Sequence, residues 1–246
     1  MNERTSQILE AAIQGFIDTG EPVSSGWLYN QYDFGIKPAM IRLELDALEE
    51  SGYLEQPYHS AGRIPTDRGY EFYAARALAA QAAASDASRA AVASHRIASA
   101  HKTGLALRDL LEHHAYADLM SGISSELGLL SVAMDIRANE IYKTGLEALF
   151  ENLNWDNRDE VRSVIRDFET VDERMPQAAE KMGATADASG RGEPQIFIGK
   201  KSPVTESENL SVIGGNYRVG DTTISIFAIG PKRMDYKKTI RIFRSL

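Results

Sequence analysis

LEESGYLEQPYHSAGRIPTDRGYEFY, residues 48–73, is the stretch of sequence that decides the fold of the first part of the chain. Gly52 is a residue that commonly stops a helix, because glycine adopts the left-handed conformation without strain. Residues 53–57 and 63–65 predict two short strands joined by a tight turn, a hairpin small enough to be a wing. Thr66 is a favoured N-cap residue and predicts another helix directly after the hairpin.

Three helical patterns lead into this hairpin. Residues 2–19 repeat apolar side chains at intervals of three and four, as one face of a helix requires. Ser24 is placed to cap a short second helix that ends at Gln31. Residues 37–51 repeat apolar side chains at i, i+4 and i+7 and predict the third helix. Three helices followed by a small hairpin is the order of a winged helix-turn-helix, which we predict for residues 1–76.

The rest of the chain predicts a different architecture. Residues 77–115 are rich in alanine and predict a helical connector, with a partly disordered linker as the alternative. Residues 116–246 predict an antiparallel sheet with flanking helices, so the whole chain belongs to the α+β class. The predicted strands are 129–136, 140–144, 195–198, 210–218 and 222–229. The predicted helices are 105–127, 156–173 and 235–243, with a loop at 183–194.

Composition excludes several functions. The 246 residues include no cysteine, which rules out disulfides, zinc fingers and thiolate nucleophiles. No apolar run approaches the roughly 18 to 20 residues that span a bilayer, and the N-terminus lacks a basic region followed by an apolar one. We therefore expect a cytoplasmic protein with no membrane partner.

The charge distribution does not by itself indicate a nucleic-acid partner. The net charge is −8, and affinity for DNA comes largely from lysine and arginine. Residues 1–76 hold six basic and twelve acidic side chains, whereas residues 196–246 hold nine basic and four acidic ones. The case for DNA therefore depends on particular motifs.

Three stretches resemble the HrcA family of heat-inducible transcription repressors: TGEPVSS at 19–25, the stretch quoted above at 48–73, and GPKRMDY at 230–236. A weaker likeness covers GLEALFENLNWDNRDEVRSVIRDFE at 145–169. The resemblance implies a winged-helix domain joined to a GAF-like effector domain, here residues 116–246. It also implies a homodimer that binds double-stranded DNA at an inverted-repeat operator of heat-shock (chaperone) genes until heat releases it. A chaperonin is a further partner that the resemblance implies.

A winged helix of this kind places a defined set of residues on its DNA side. Its recognition helix enters the major groove, and its wing reaches the flanking backbone. Serines at a helix N-terminus can donate to a phosphate. The candidate DNA-binding residues are Ser24, Ser25, Lys37, Ala39, Met40, Arg42, Leu43, His59, Ser60 and Arg63.

The sequence departs from the pattern of the family in both halves. The family usually carries threonine at the position of Met40, a polar residue at Leu43, and Pro-His-Thr-Ser where this chain has residues 57–60, so we expect an altered operator preference or weaker binding. The family also carries an inserted segment between residues resembling 129–135 and 141–150, and this insert serves dimerisation. Because the insert is missing here, the dimer contact must come from the Ala-rich helices or the sheet, and the connector 77–115 is the predicted one.

Other interpretations remain open for individual residues and for the protein. Arg42 could pair with Asp46 at i+4, and Met40 could pack rather than contact DNA. The five histidines show no two-ligand helical spacing, so we expect no metal site and no cofactor. No P-loop and no Gly-x-Ser-x-Gly elbow is present, and an enzyme is not expected. The alternative function is a non-catalytic sensor or interaction protein whose winged helix has altered or lost operator specificity.

Overall fold

The computed structural model describes residues 1–90, 106–151, 158–182 and 193–246. The chain divides into two compact units, Met1–Arg76 and Ala77–Leu246, which are called unit 1 and unit 2 below. The division falls within a helix, Asp67–Ala90. Among the helices of the described residues, none is both long enough and apolar enough to cross a membrane.

Unit 1 contains three helices, a two-stranded sheet and the start of a fourth helix. These are α1 (Glu3–Thr19), α2 (Ser25–Gln31), α3 (Pro38–Glu50), β1 (Leu54–Glu55), β2 (Ile64–Pro65) and α4 (Asp67–Ala90). The two strands are antiparallel. This is the element order that the sequence predicts, although each strand is only two residues long, shorter than expected.

The ends of the first two helices are capped by their own sequence. The Asn2 side chain accepts a hydrogen bond from Thr5 N at 2.8 Å and begins α1. Gly20 ends it in the left-handed conformation, at φ 74°. The predicted N-cap Ser24 is confirmed, because its Oγ accepts from Trp27 N at 3.1 Å.

The hairpin formed by β1, β2 and the residues between them, 54–65, is tied to the segment before α2. Val23 and Arg63 exchange two backbone hydrogen bonds of 2.9 and 2.8 Å, which extends the small sheet by one antiparallel bridge. Gly62 allows this approach, since a Cβ there would lie 2.5 Å from the Val23 carbonyl carbon. The predicted cap Thr66 is also confirmed, as its Oγ1 accepts from Gly69 N at 3.2 Å.

The core of unit 1 uses the inward faces of all three helices and the first strand. Burial of each such aliphatic side chain contributes about 1.5 to 3 kcal/mol relative to exposure. The apolar residues of these elements that are less than 4% exposed include Ile8, Leu9, Ile13, Leu28, Ile41, Leu45, Leu48 and Leu54. The spacing of Ile41, Leu45 and Leu48 places the buried face on one side of α3, and residues such as Leu43 on the other side are exposed.

Unit 2 contains the larger sheet. After a helical stretch at 106–112, its elements are α5 (Tyr116–Leu127), β3 (Leu130–Asp135), β4 (Glu140–Thr144), α6 (Leu146–Glu151), α7 (Arg158–Met182), β5 (Gln195–Ile198), β6 (Leu210–Val219), β7 (Thr222–Pro231) and α8 (Tyr236–Ser245). The strand order is β4-β3-β7-β6-β5, and every neighbouring pair is antiparallel. The predicted α+β class with an antiparallel sheet is confirmed.

The sheet of unit 2 is covered on both faces. All six residues of β3 are buried, as expected for a strand between two layers. One face packs on α7 through a cluster that includes Val132, Val171, Met175 and Phe227. β3 and β4 are joined by only four residues, 136–139, so the described chain has a tight hairpin at this point.

Two predicted helices differ from the observed ones. The single helix expected over 105–127 is interrupted at residues 113–115, where His114 adopts a left-handed φ of 57°. The helix expected over 156–173 continues to Met182 despite Pro176, because its buried face extends along the sheet. Most of the predicted loop 183–194 lies outside the described residues. Residues 91–105 of the predicted connector also lie outside the described residues.

Candidate nucleic-acid interface

The outward face of α3 carries side chains that the fold does not use. Met40 is 46% exposed and Leu43 is 59% exposed, whereas Ile41 on the inward face is fully buried. Ala39 and Arg42 are exposed beside them. The alternative that Met40 packs in the core is therefore wrong, and the N-terminal half of α3 presents apolar side chains and one arginine to its surroundings.

Two of the six basic side chains of unit 1 are left unengaged, and both belong to this surface. Arg4 pairs with Glu44, and Arg76 pairs with Glu3 and Glu10. Arg68 donates to the Ser51 carbonyl and lies over the Tyr53 ring at 4.3 Å. Arg63 is engaged as well, in ion pairs that are given in the next paragraph. Among the described residues no ion pair or side-chain hydrogen bond involves Lys37, directly before α3, or Arg42, within it.

Arg63 holds two carboxylates of α3 in place. Its Nη2 lies 2.6 Å from Asp46 Oδ1 and 2.8 Å from Glu49 Oε2, and its side chain is 13% exposed. The alternative that Arg42 pairs with Asp46 is wrong, since Arg63 is the partner of Asp46. The single guanidinium offsets one of the two negative charges on the edge of α3 and links the hairpin to the helix.

A cleft of about 250 Å³ lies between the start of α2, one edge of α3 and the hairpin. It brings together five of the ten candidate residues, namely Ser24, Ser25, Arg42, Ser60 and Arg63. The remaining residues that line it are Val23, Leu45, Asp46, Gln56, Ala61 and Gly62. The other candidates, Lys37, Ala39, Met40, Leu43 and His59, lie outside the cleft on the exposed surface.

The tip of the hairpin is a strained turn. Ala61 N donates to the Tyr58 carbonyl at 3.0 Å, and Ser60 adopts a left-handed φ of 71°, which is unusual for a residue other than glycine. Tyr58, His59 and Ser60 are all exposed. The turn therefore projects polar and aromatic side chains beyond the body of unit 1.

Sequence reasoning missed the ion pairs of Arg63. The sequence did contain a signal, since Asp46 and Glu49 are three residues apart and so share one side of α3, where a nearby cation is required. Nothing in the local pattern indicates that this cation comes from the hairpin seventeen residues later. The information that the sequence lacks is how the hairpin packs against α3.

The described residues offer no metal site, because none of their histidines, aspartates and glutamates form a group of three that could hold an ion. His113 and His114 lie in the interruption before α5, where His114 Nδ1 contacts the Tyr116 hydroxyl. Burial raises the pKa of Tyr116 to about 12, so its hydroxyl stays protonated at neutral pH. His95 and His101 lie outside the described residues.

The fold and this surface together define a two-unit α+β protein whose first unit exposes two cations, unpaired among the described residues, at and near the start of α3. A family model described as the HrcA protein C-terminal domain matches residues 81–240. The chain belongs to the HrcA family.

Individual relatives support the same assignment. The heat-inducible transcription repressor HrcA of Moorella thermoacetica is 53% identical over 73 residues, and that of Alkaliphilus metalliredigens is 55% identical over 73 residues. In both comparisons the aligned part covers 30% of this chain and 21% of the relative. The match thus spans about a fifth of the length of these relatives.

A solved structure described as a hypothetical protein resembles the fold over almost the whole chain. Its TM-score is 0.66 at 17% sequence identity, and the match covers 99% of this chain and 94% of that one. This likeness concerns the fold alone.

Proposed function

We propose that unit 1 is a winged-helix DNA-binding unit that inserts α3 into the major groove and sets the hairpin against the flanking backbone. The observation that carries the proposal is the free state of Lys37 and Arg42 on the exposed side of α3, while the other four basic residues of the unit are engaged. An acidic unit has few cations to offer to phosphates, so the two unengaged cations support the proposal that this side meets DNA.

The exposed residues around α3 take distinct roles in this arrangement. Lys37, at the N-terminus of α3, is suited to a phosphate on the groove rim, and Arg42 is suited to a phosphate or a guanine edge. Ser25, Ser60 and His59 offer short polar donors for the backbone. Arg63 has a positioning role, because its ion pairs with α3 fix the hairpin relative to the helix.

The protein as a whole is proposed to be a heat-inducible transcription repressor that binds an inverted-repeat operator as a homodimer. Family membership and the names of the relatives support this proposal. Two recognition helices related by a two-fold axis read two half-sites and gain affinity from being linked. Unit 2, proposed to be a GAF-like effector unit, and the connector 77–115 are the proposed source of the dimer contact. Release by heat and binding to a chaperonin are proposed from family membership alone.

One residue of the predicted dimer contact is already used within unit 2. Leu107 is 3% exposed, and a Cβ at Gly122 of α5 would lie 2.7 Å from its Cδ2, so Leu107 packs on α5. A dimer that uses this region must therefore use other side chains of the connector. Among the described apolar residues of the connector, Leu78 in α4 and Leu110 are half-buried.

The second candidate function is a protein-interaction module without specific DNA reading. It is favoured by the exposed apolar Met40 and Leu43 in a unit with twice as many acidic as basic residues. Under this alternative, the same helix face binds a protein, and DNA affinity is weak and independent of sequence.

Selection of bound duplexes from a random DNA pool by the full chain tests the proposal. The proposed function predicts enrichment of an inverted repeat, and Arg42→Ala lowers affinity for the enriched duplex. Arg218→Ala, which removes an exposed arginine of unit 2, serves as the matched control and leaves affinity unchanged. Failure to enrich any sequence would reject the repressor function in favour of the interaction module.

A further inference from the structure

We propose that Met40 and Leu43 read the C5-methyl groups of thymines in the major groove, so that the operator carries thymine opposite both side chains. This inference rests on the proposed DNA-binding function and adds which bases the helix selects. It concerns two side chains that the fold of unit 1 leaves unexplained.

Met40 and Leu43 are large apolar side chains that the core of unit 1 does not bury. They are 46% and 59% exposed, while the inward face of α3 is already filled by Ile41, Leu45 and Leu48, each 3% exposed or less. An exposed apolar side chain gains free energy when a partner removes it from water. Met40 and Leu43 together form a small apolar patch on α3 that a partner with apolar groups can cover.

The arrangement of charge around the two side chains specifies that partner. Met40 and Leu43 are three residues apart and so neighbour each other on the helix. Lys37 lies one turn before Met40, and Arg42 is directly adjacent to Leu43 in sequence. The partner must combine anionic groups at the rims with apolar groups between them. A major groove does so, since phosphates form its rims and thymine methyls are the apolar groups on its floor.

Hydrogen-bonded base reading is not available to these two residues. Neither a thioether nor an isobutyl group can donate to a base edge, and neither can accept from one with useful strength. Arg42 is the only side chain with hydrogen-bonding groups among the exposed residues 39, 40, 42 and 43 of the first two turns of α3. Discrimination by Met40 and Leu43 must come from contact with a methyl group that cytosine lacks.

The experiment uses the duplex enriched by the full chain and replaces one thymine at a time by deoxyuridine. This change removes a single methyl group and leaves the hydrogen bonds of the base pair intact. Loss of one methyl-sized contact is expected to weaken binding about fourfold at each contacted position. Thymines that face away from α3 tolerate the replacement and provide the internal control.

Variants assign each sensitive position to a side chain. Met40→Ala and Leu43→Ala should each bind the thymine duplex less tightly and abolish the deoxyuridine effect at one position of each half-site while keeping it at the other. Ile165→Ala removes another exposed apolar side chain, 41% exposed in unit 2, and should leave every effect unchanged. Thermal melting of each variant verifies that the fold is retained, as expected for exposed positions.

Three results would overturn the inference. Tight binding with no deoxyuridine effect at any position rejects methyl reading and leaves the DNA-binding function standing. Deoxyuridine effects that persist in both variants reject the assignment to Met40 and Leu43. Absence of any enriched sequence, together with loss of self-association in the two variants, rejects the DNA function itself and makes this face a protein contact.

Discussion

The replacement Arg63→Ala should destabilise unit 1 rather than only weaken DNA binding. The sequence alone places Arg63 on the DNA side, at the end of the hairpin. The structure instead gives its guanidinium two carboxylate partners, Asp46 at 2.6 Å and Glu49 at 2.8 Å. Removing the arginine leaves these two carboxylates close together with no opposite charge.

The expected loss in the free energy of unfolding follows from how exposed the three charged side chains are. Removing one partner of a fully buried ion pair costs about 3 to 5 kcal/mol, and an exposed pair contributes about 0 to 1 kcal/mol. The Arg63 side chain is 13% exposed, whereas Asp46 and Glu49 are 40% and 35% exposed. The loss in the free energy of unfolding should therefore lie between these limits, at about 2 kcal/mol.

Urea unfolding followed by tryptophan fluorescence measures this loss. The chain has two tryptophans, so Trp155→Phe serves as the background in which Trp27 reports on unit 1 alone. Arg42→Ala is the matched control, because its side chain is exposed and unpaired among the described residues, and it should change stability by less than about 0.5 kcal/mol. Adding Asp46→Asn and Glu49→Gln to Arg63→Ala should restore part of the loss by removing the uncompensated charges. An Arg63→Ala protein that unfolds at the same urea concentration as its background would refute the reasoning.

Three further substitutions test the local structure, each by the free energy of unfolding in urea. Gly62→Ala should cost about 1 to 3 kcal/mol, because the new Cβ would lie 2.5 Å from the Val23 carbonyl carbon, and an unchanged value would show that the hairpin does not approach so closely. Asp167→Ala should cost about 3 to 5 kcal/mol, since this carboxylate, 4% exposed, accepts from two backbone N–H groups and an arginine; a loss below 1 kcal/mol would contradict this role. Asp235→Ala should cost about 0.5 to 2 kcal/mol through loss of the cap hydrogen bond from Lys238 N at 2.9 Å, and a stability equal to that of the parent would argue against the cap.

Local signals in the sequence were sufficient for most of the fold. Ser24, Thr66 and Asp235 each cap the helix that their sequence context predicts. The strands of the large sheet were recognised because their apolar runs are bounded by turn residues. Element order and class could therefore be predicted without tertiary information.

The errors in the fold arise where tertiary contacts override local preference. No glycine or proline marks the interruption before α5. His114 adopts a left-handed conformation there, which is uncommon for residues other than glycine. Pro176 normally ends a helix, yet α7 continues through it because Met175, Ala178 and Met182 keep packing on the sheet. Neither feature could be read from a short window of sequence.

In the candidate interface, too, local features could be predicted from the sequence and tertiary contacts could not. The exposure of Met40, Arg42 and Leu43 was predictable, since the helical period of Ile41 and Leu45 already assigns the inward face. The engagement of Arg63 was not predictable, because it depends on how a hairpin folds back on α3. The distinction between a cation that is free and one that is already paired required the structure.

The salt dependence of DNA binding tests the central claim most directly. The logarithm of the affinity of the full chain for its enriched duplex is measured against the logarithm of the salt concentration by fluorescence anisotropy. If Lys37 and Arg42 meet phosphates, Lys37→Ala and Arg42→Ala each lower the magnitude of the slope by about one per half-site, whereas Arg218→Ala leaves the slope unchanged. If all three variants keep the slope and affinity of the parent, α3 is not the DNA-contacting element and the proposed function of unit 1 is wrong.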